Sequence, residues 1–218
     1  MRVEFENQLN RLNEKLVELS ELCATQVKKA ANALLEKSTD LCEEVITTEK
    51  EVNNLSSIIE QQCIRIILTE QPVASDLRFI SAAMKMNTDL ERIGDQAEDI
   101  AFLVKQMIEQ GYRRRELGSV REMSVKAAEM TQDAVRAFAD GDSHLASSTI
   151  QKDDEVDALF SKVRDEVILE IRAQGEHDPV KIIDILMISK YLERIGDHAE
   201  NIAESVLYSL TGSYEVQN

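Results

Sequence analysis

Apolar residues recur at threes and fours through almost the whole chain, the spacing that places side chains on one face of an α-helix. In the first segment Leu9, Leu12, Leu16, Leu19, Cys23, Val27 and Leu34 make a single stripe on one long helix. Ser38 and Thr39, followed by Asp40, Glu43 and Glu44, form an N-cap and a first turn matched to the helix dipole. The second helix then runs to about Thr69 and is stopped by Pro72. Ser75 or Asp76 is expected to cap a third helix that reaches about Gln110, ahead of Gly111.

Beyond a connector the pattern repeats. The spacing predicts helices over about 119–139, broken at Gly141, and about 143–174, stopped at Gly175. A last helix opens at Asp178 and Pro179, with proline in a first-turn position, and reaches about Leu210 before Gly212. The predicted organisation is a first three-helix repeat at 1–112, a linker at 113–118 and a second three-helix repeat at 119–218. The linker carries Arg113, Arg114 and Arg115, a run that reads as a solvated connector.

The repeat is visible in the letters. Leu90 to Ala101 reads LERIGDQAEDIA and Leu192 to Ala203 reads LERIGDHAENIA, ten of twelve positions matching at an offset of 102. Glu51, Val52 and Leu55 match Glu155, Val156 and Leu159 at an offset of 104, so two residues are inserted in a connecting loop. A period this long indicates a duplicated domain rather than a solenoid.

Composition agrees with helix. Seven glycines and two prolines are too few for the turns of an all-β fold, and 43% hydrophobic residues are enough to build a core. The 41 acids against 25 bases leave a net charge of −16, which repels phosphate backbones and anionic lipid headgroups and argues against nucleic-acid or membrane binding. Cys23, Cys42 and Cys63 are odd in number and widely spaced, without a Cys-x-x-Cys pair, as expected of buried thiols in a reducing compartment. The first residues lack the apolar core of a signal peptide, and no window is apolar enough for a membrane span. The expected location is the cytoplasm.

The candidate chemistry is acidic. Glu91 and Asp95 stand one turn apart on a helix, Glu98 extends their face, and Glu193, Asp197 and Glu200 repeat the arrangement. The middle helices add Asp153 and Asp157 in the second copy, against Glu49 and Asn53 in the first. Like charges at this spacing cost an isolated helix roughly 0.2–0.5 kcal/mol, and each pair stands beside a mid-helix glycine, Gly94 or Gly196, that costs about 1 kcal/mol relative to alanine. Twice placing glycine there implies the close approach of a neighbouring backbone or a ligand. Carboxylates converging from two helices and facing outward would suit a hard cation such as Fe³⁺, Mn²⁺, Mg²⁺ or Ca²⁺. A structural zinc site of cysteine and histidine lacks ligands in workable spacing. The alternative is a solvated acidic face, ion-paired with Arg92 and Arg194 across neighbouring helices. Both readings stand at this point. His198 has Gln96 at its matching position and is expected at the surface; His144 and His177 carry no constellation. The Glu-x-x-His pairs of a ferritin-like di-metal oxidase are absent, as are phosphate-binding loops and nucleophile motifs, so the chain is not expected to be an enzyme.

The doubled LERIGD, the stretch Gln71-Pro72-Val73-Ala74-Ser75-Asp76-Leu77-Arg78, and the segments Glu49 to Leu55 and Asp153 to Leu159 resemble the PhoU family over essentially the whole chain. That resemblance implies an all-α fold of two pseudo-symmetric antiparallel three-helix bundles, six long helices in all. It implies metal clusters of iron, manganese, magnesium or zinc on Glu91, Asp95, Glu193, Asp197, Asp153, Asp157, Glu49 and Asn53. It also implies a non-catalytic homodimer that regulates phosphate uptake and the phosphate-starvation response. The implied partners are the ATPase subunit of a phosphate ABC transporter and a sensor histidine kinase. Asn53 departs from the family's acidic motif, because an amide donates only a neutral carbonyl oxygen to a metal.

Overall fold

The computed structural model describes residues 2–112, 118–172 and 179–213. They form six helices: α1 (Arg2–Glu36), α2 (Thr39–Glu70), α3 (Ser75–Glu109), α4 (Gly118–Asp140), α5 (Ser143–Arg172) and α6 (Pro179–Thr211). The predicted linker arginines, together with Gly175 and Asp178, lie outside the described residues.

Local chemistry sets the boundaries. The Ser38 hydroxyl accepts from the Leu41 amide at 3.2 Å and caps α2. Gln71 then turns into the left-handed region, φ 50°, immediately before Pro72, and the helix cannot continue. The start of α3 differs from expectation: Ala74 occupies the cap position with no side-chain bond, and Ser75 is already helical. Gly111 and Gly141 supply the positive φ that closes α3 and α4, and the amides of Tyr112 and Asp142 return to the carbonyls of Met107 and Ala137. Asp142 caps α5 through bonds from the amides of His144 and Leu145.

Helices α1, α2 and α3 pack on one another, as do α4, α5 and α6, and the two triplets meet through α1 against α4 and α3 against α6. Helices α2 and α5 therefore lie outermost. Asp89 meets His198, and Lys181 near the start of α6 donates to the Gln110 carbonyl at the end of α3, so α3 and α6 run antiparallel. The stripe of the first segment is buried from Leu12 to Leu34, and Leu90, Ile93, Ala97, Ile100 and Val104 are fully buried in α3. These side chains belong to one continuous core crossing both triplets, from Leu12 to Val206. Burial of that kind, at roughly 25 cal/mol per Å² of apolar area, is what holds helices this long together.

Candidate acidic metal-binding patches

Each triplet carries one acidic patch where its second helix meets its third. In the first, Glu49 of α2 points at the turn of α3 that holds Glu91, Asp95 and Glu98. In the second, Asp153 of α5 points at Glu193, Asp197 and Glu200 of α6. The patches share a layered exposure: Glu49 and Asp153 are buried, the α3 and α6 acids are half-buried, and Asn53 and Asp157 are exposed at the rim. The expectation that all these side chains face outward therefore holds for the rim and fails for Glu49 and Asp153.

Gly94 and Gly196 explain how a carboxylate is admitted. A Cβ at Gly94 would lie 2.8 Å from Val52 Cγ1 and 2.9 Å from Glu49 Oε2. At Gly196 it would lie 2.7 Å from Asp153 Oδ1 and 3.3 Å from Val156 Cγ1. The close approach inferred from these glycines comes from the side chains of the adjacent helix, and not from a backbone. Each glycine is a notch that seats a valine and an acid one turn apart.

The seated acids present buried oxygens without hydrogen bonds. Neither Oε1 nor Oε2 of Glu49, nor Oδ1 of Asp153, makes a hydrogen bond. A buried carboxylate in that condition stays protonated or recruits a positive charge. Burial, with the repulsion of Asp95, Glu98 and Glu91, pushes the Glu49 carboxyl up to about 8, and the side chain of Asn53 opposes that rise. Burial, with Glu200, Asp197, Asp157 and Glu193, pushes Asp153 up to about 7. Glu98, Asp197 and Glu200 are also raised, chiefly by burial and then by neighbouring acids.

The positive charges already present are few and local. Arg92 pairs with Asp95 at 3.0 Å and Lys190 with Glu193, each within its own helix, so the expected pairing across helices is not how these acids are met. Arg194 acts on Asp99, which sequence reasoning did not single out. Ser56, held by Asn87, donates to Glu91 at 3.3 Å. Arg92 was legible as a partner of the acidic face, though across helices and not within its own; Ser56 and Lys190 were not, because no spacing rule distinguishes them from ordinary helix-surface residues. Among the described residues no group of three or more Asp, Glu, His or Cys side chains is already gathered to hold an ion. The donors nonetheless fit a hard cation: all are oxygens, they come from two helices, and the innermost are unsatisfied.

His198 is half-buried rather than superficial. Its Nδ1 lies 2.9 Å from Asp89 Oδ1 across the α3–α6 contact, where it helps to join the two triplets. The three cysteines are buried and free, and burial pushes their thiols up, Cys42 to about 11 and Cys63 to about 12. No described helix is long and apolar enough to cross a membrane.

The profile of the PhoU domain matches residues 16–104 and 120–206, one match on each triplet. A phosphate-specific transport system accessory protein PhoU homolog of Pseudomonas aeruginosa is 35% identical over 213 residues, covering 96% of this chain and 86% of the relative. A homolog of the same description from Clostridium acetobutylicum is 31% identical, covering 95% of this chain and 94% of its own. The crystal structure of PhoU from Pseudomonas aeruginosa superposes with a TM-score of 0.90 at 34% identity, covering 96% of this chain and all of that one. The phosphate transport system regulatory protein PhoU from Streptococcus pneumoniae does so with a TM-score of 0.88 at 29% identity, covering 98% of this chain and all of that one. Doubled motif, six-helix architecture and full-length similarity agree, and the chain belongs to the PhoU family.

Proposed function

We propose that this chain is a non-catalytic, cytoplasmic regulator that restrains phosphate uptake and the phosphate-starvation response when phosphate is plentiful. Its targets on this reading are the ATPase subunit of a phosphate ABC transporter and a sensor histidine kinase, and it acts as a homodimer. The observation that carries the proposal is similarity along nearly the full length to proteins described as accessory to phosphate-specific transport. The twin patches supply a physical means. Carboxylates of α2 and α3, and of α5 and α6, would hold metal, with Glu49 and Asp153 innermost and Glu91, Asp95, Glu193 and Asp197 above them. Asn53 and Asp157 complete the rims. Bound cations would offset part of the −16 charge and complete a face that a partner can meet without repulsion.

Deletion of the gene tests the regulatory role. Phosphate uptake and starvation-gene expression are expected to stay high in phosphate-replete cells; unchanged repression in the deletion strain defeats the proposal. Capture of partners by the full chain from phosphate-replete cells should recover the transporter ATPase subunit and the kinase. Elemental analysis of protein purified without chelators or a histidine tag tests the metal, and light scattering tests the dimer.

A further inference from the structure

The duplication supplies an internal control for the outer faces of the fold. At the offset of 102 that aligns the two LERIGD strings, Val180, Ile183 and Met187 of α6 stand where α3 has Arg78, Ser81 and Lys85. Burial keeps the same register: Ile182, Ile185 and Ile188 are buried, and so are Ile80, Ala83 and Met86 at their matching positions. The three-helix unit therefore folds with polar and cationic side chains on this face, yet α6 places three apolar ones there. Val180 is 58% exposed, Ile183 50% and Met187 41%, and their spacing of three and four makes them one stripe. Leu169 and Ile171 near the end of α5 are exposed as well. The α2–α3 end also exposes Leu68, Val73 and Leu77, but these are spread over two helices and the turn between them, and Ser81 and Lys85 continue that face along α3.

Resting on the reading that the chain acts as a homodimer, we propose that two copies join at this end, the α6 stripe of one laid antiparallel on the α6 stripe of the other. A twofold axis at Ile183 sets Val180 of each copy against Met187 of the other, so one patch serves both sides. Two observations favour a second copy as the occupant. The five exposed apolar side chains of α5 and α6 present on the order of 500 Å² per protomer, which with a polar rim reaches the roughly 800 Å² per partner of a stable interface. Charge fits too: over 160–172 and 180–190 five bases meet four acids, in a chain whose net charge is −16, so two copies can approach here without strong repulsion. Each chain holds one such α6 stripe, so pairing closes at two copies and does not propagate.

The test is light scattering and sedimentation of the full chain beside Ile183→Ser/Met187→Lys, which gives α6 the residues that α3 carries at the same places. The wild type is expected at twice the mass of one chain. The double variant is expected as a monomer, its dissociation constant raised about a hundredfold or more, with helix content and urea midpoint unchanged. Leu77→Ser, at the α2–α3 end, should leave the dimer intact. Cross-linking gives a second readout: Ile183→Cys should join two copies through a short bis-maleimide, because the native thiols are buried, and Ser81→Cys should not. A double variant that stays dimeric, loss of the dimer in Leu77→Ser, or no cross-link through Ile183→Cys overturns this surface and leaves the homodimer standing. If the double variant unfolds, the cross-linking pair decides. A monomeric wild type removes the homodimer reading and the inference with it, and a wild type that forms larger assemblies overturns the closed pair.

Discussion

Gly94→Ala tests whether the mid-helix glycines are notches. On an exposed helix the change is expected to stabilise by about 1 kcal/mol, because alanine is the better helix former. Here the added Cβ would sit 2.8 Å from Val52 Cγ1, against the 3.5–4.0 Å at which carbon atoms ordinarily meet. Val52 is fully buried and β-branched, with little rotamer freedom to retreat, and Glu49 Oε2 blocks the other side at 2.9 Å. Relief requires α2 and α3 to separate, an overpacking cost of typically 1–3 kcal/mol. The net expectation is destabilisation of roughly 0–2 kcal/mol after the propensity gain is subtracted. Gly196→Ala should cost less, since its nearest aliphatic contact is 3.3 Å and the closer atom is the end of the Asp153 carboxylate. Urea unfolding of the metal-free chain measures both, and a double-mutant cycle with Val52→Ala isolates the clash: Val52→Ala should recover most of the Gly94→Ala loss. If Gly94→Ala instead stabilises by the propensity increment, or the cycle shows no coupling, the notch account is wrong.

Three further outcomes follow from the same geometry. Because Glu49 and Asp153 are held at about 8 and about 7, the folded chain binds more protons than the unfolded chain above about pH 4. Metal-free protein should therefore lose stability as pH rises from 5 to 8, on the order of 2 kcal/mol after allowing for solvent screening at the patch; urea midpoints of Glu49→Gln/Asp153→Asn should flatten that slope, and an unaltered slope refutes the assignment. His198→Ala should cost about 1–3 kcal/mol by leaving the buried Asp89 without its partner, and His198→Gln, the residue type at matching position 96, should cost less in the same unfolding assay. The three thiols should resist an aromatic disulfide reagent in the native chain and all react in urea; rapid native labelling contradicts their burial.

How much of this was legible beforehand can be seen at particular residues. Helix content, the order of the six elements and the duplication were determined by the sequence, because they depend on properties read along the chain: the period of Leu12, Leu16 and Leu19, the stop at Pro72, the positive-φ glycines 111 and 141, and the paired LERIGD. The faces of α3 were legible too, since helical geometry alone separates Leu90, Ile93 and Ala97 from Glu91, Asp95 and Glu98.

Only tertiary structure decided depth and partnership. Glu49 and Asn53 look alike as one-turn neighbours in sequence, yet one is sealed beneath α3 and the other stands at the rim, because Gly94 removes the atoms that would bar the first. His198 resembles a surface residue until α3 is laid antiparallel beside α6 and Asp89 arrives opposite it. The physical reason is the same in each case. Periodicity assigns a side chain to a face, whereas its solvation, its charge neighbours and hence its ionisation depend on what another helix brings within a few ångströms, and no pattern confined to one helix contains that distance.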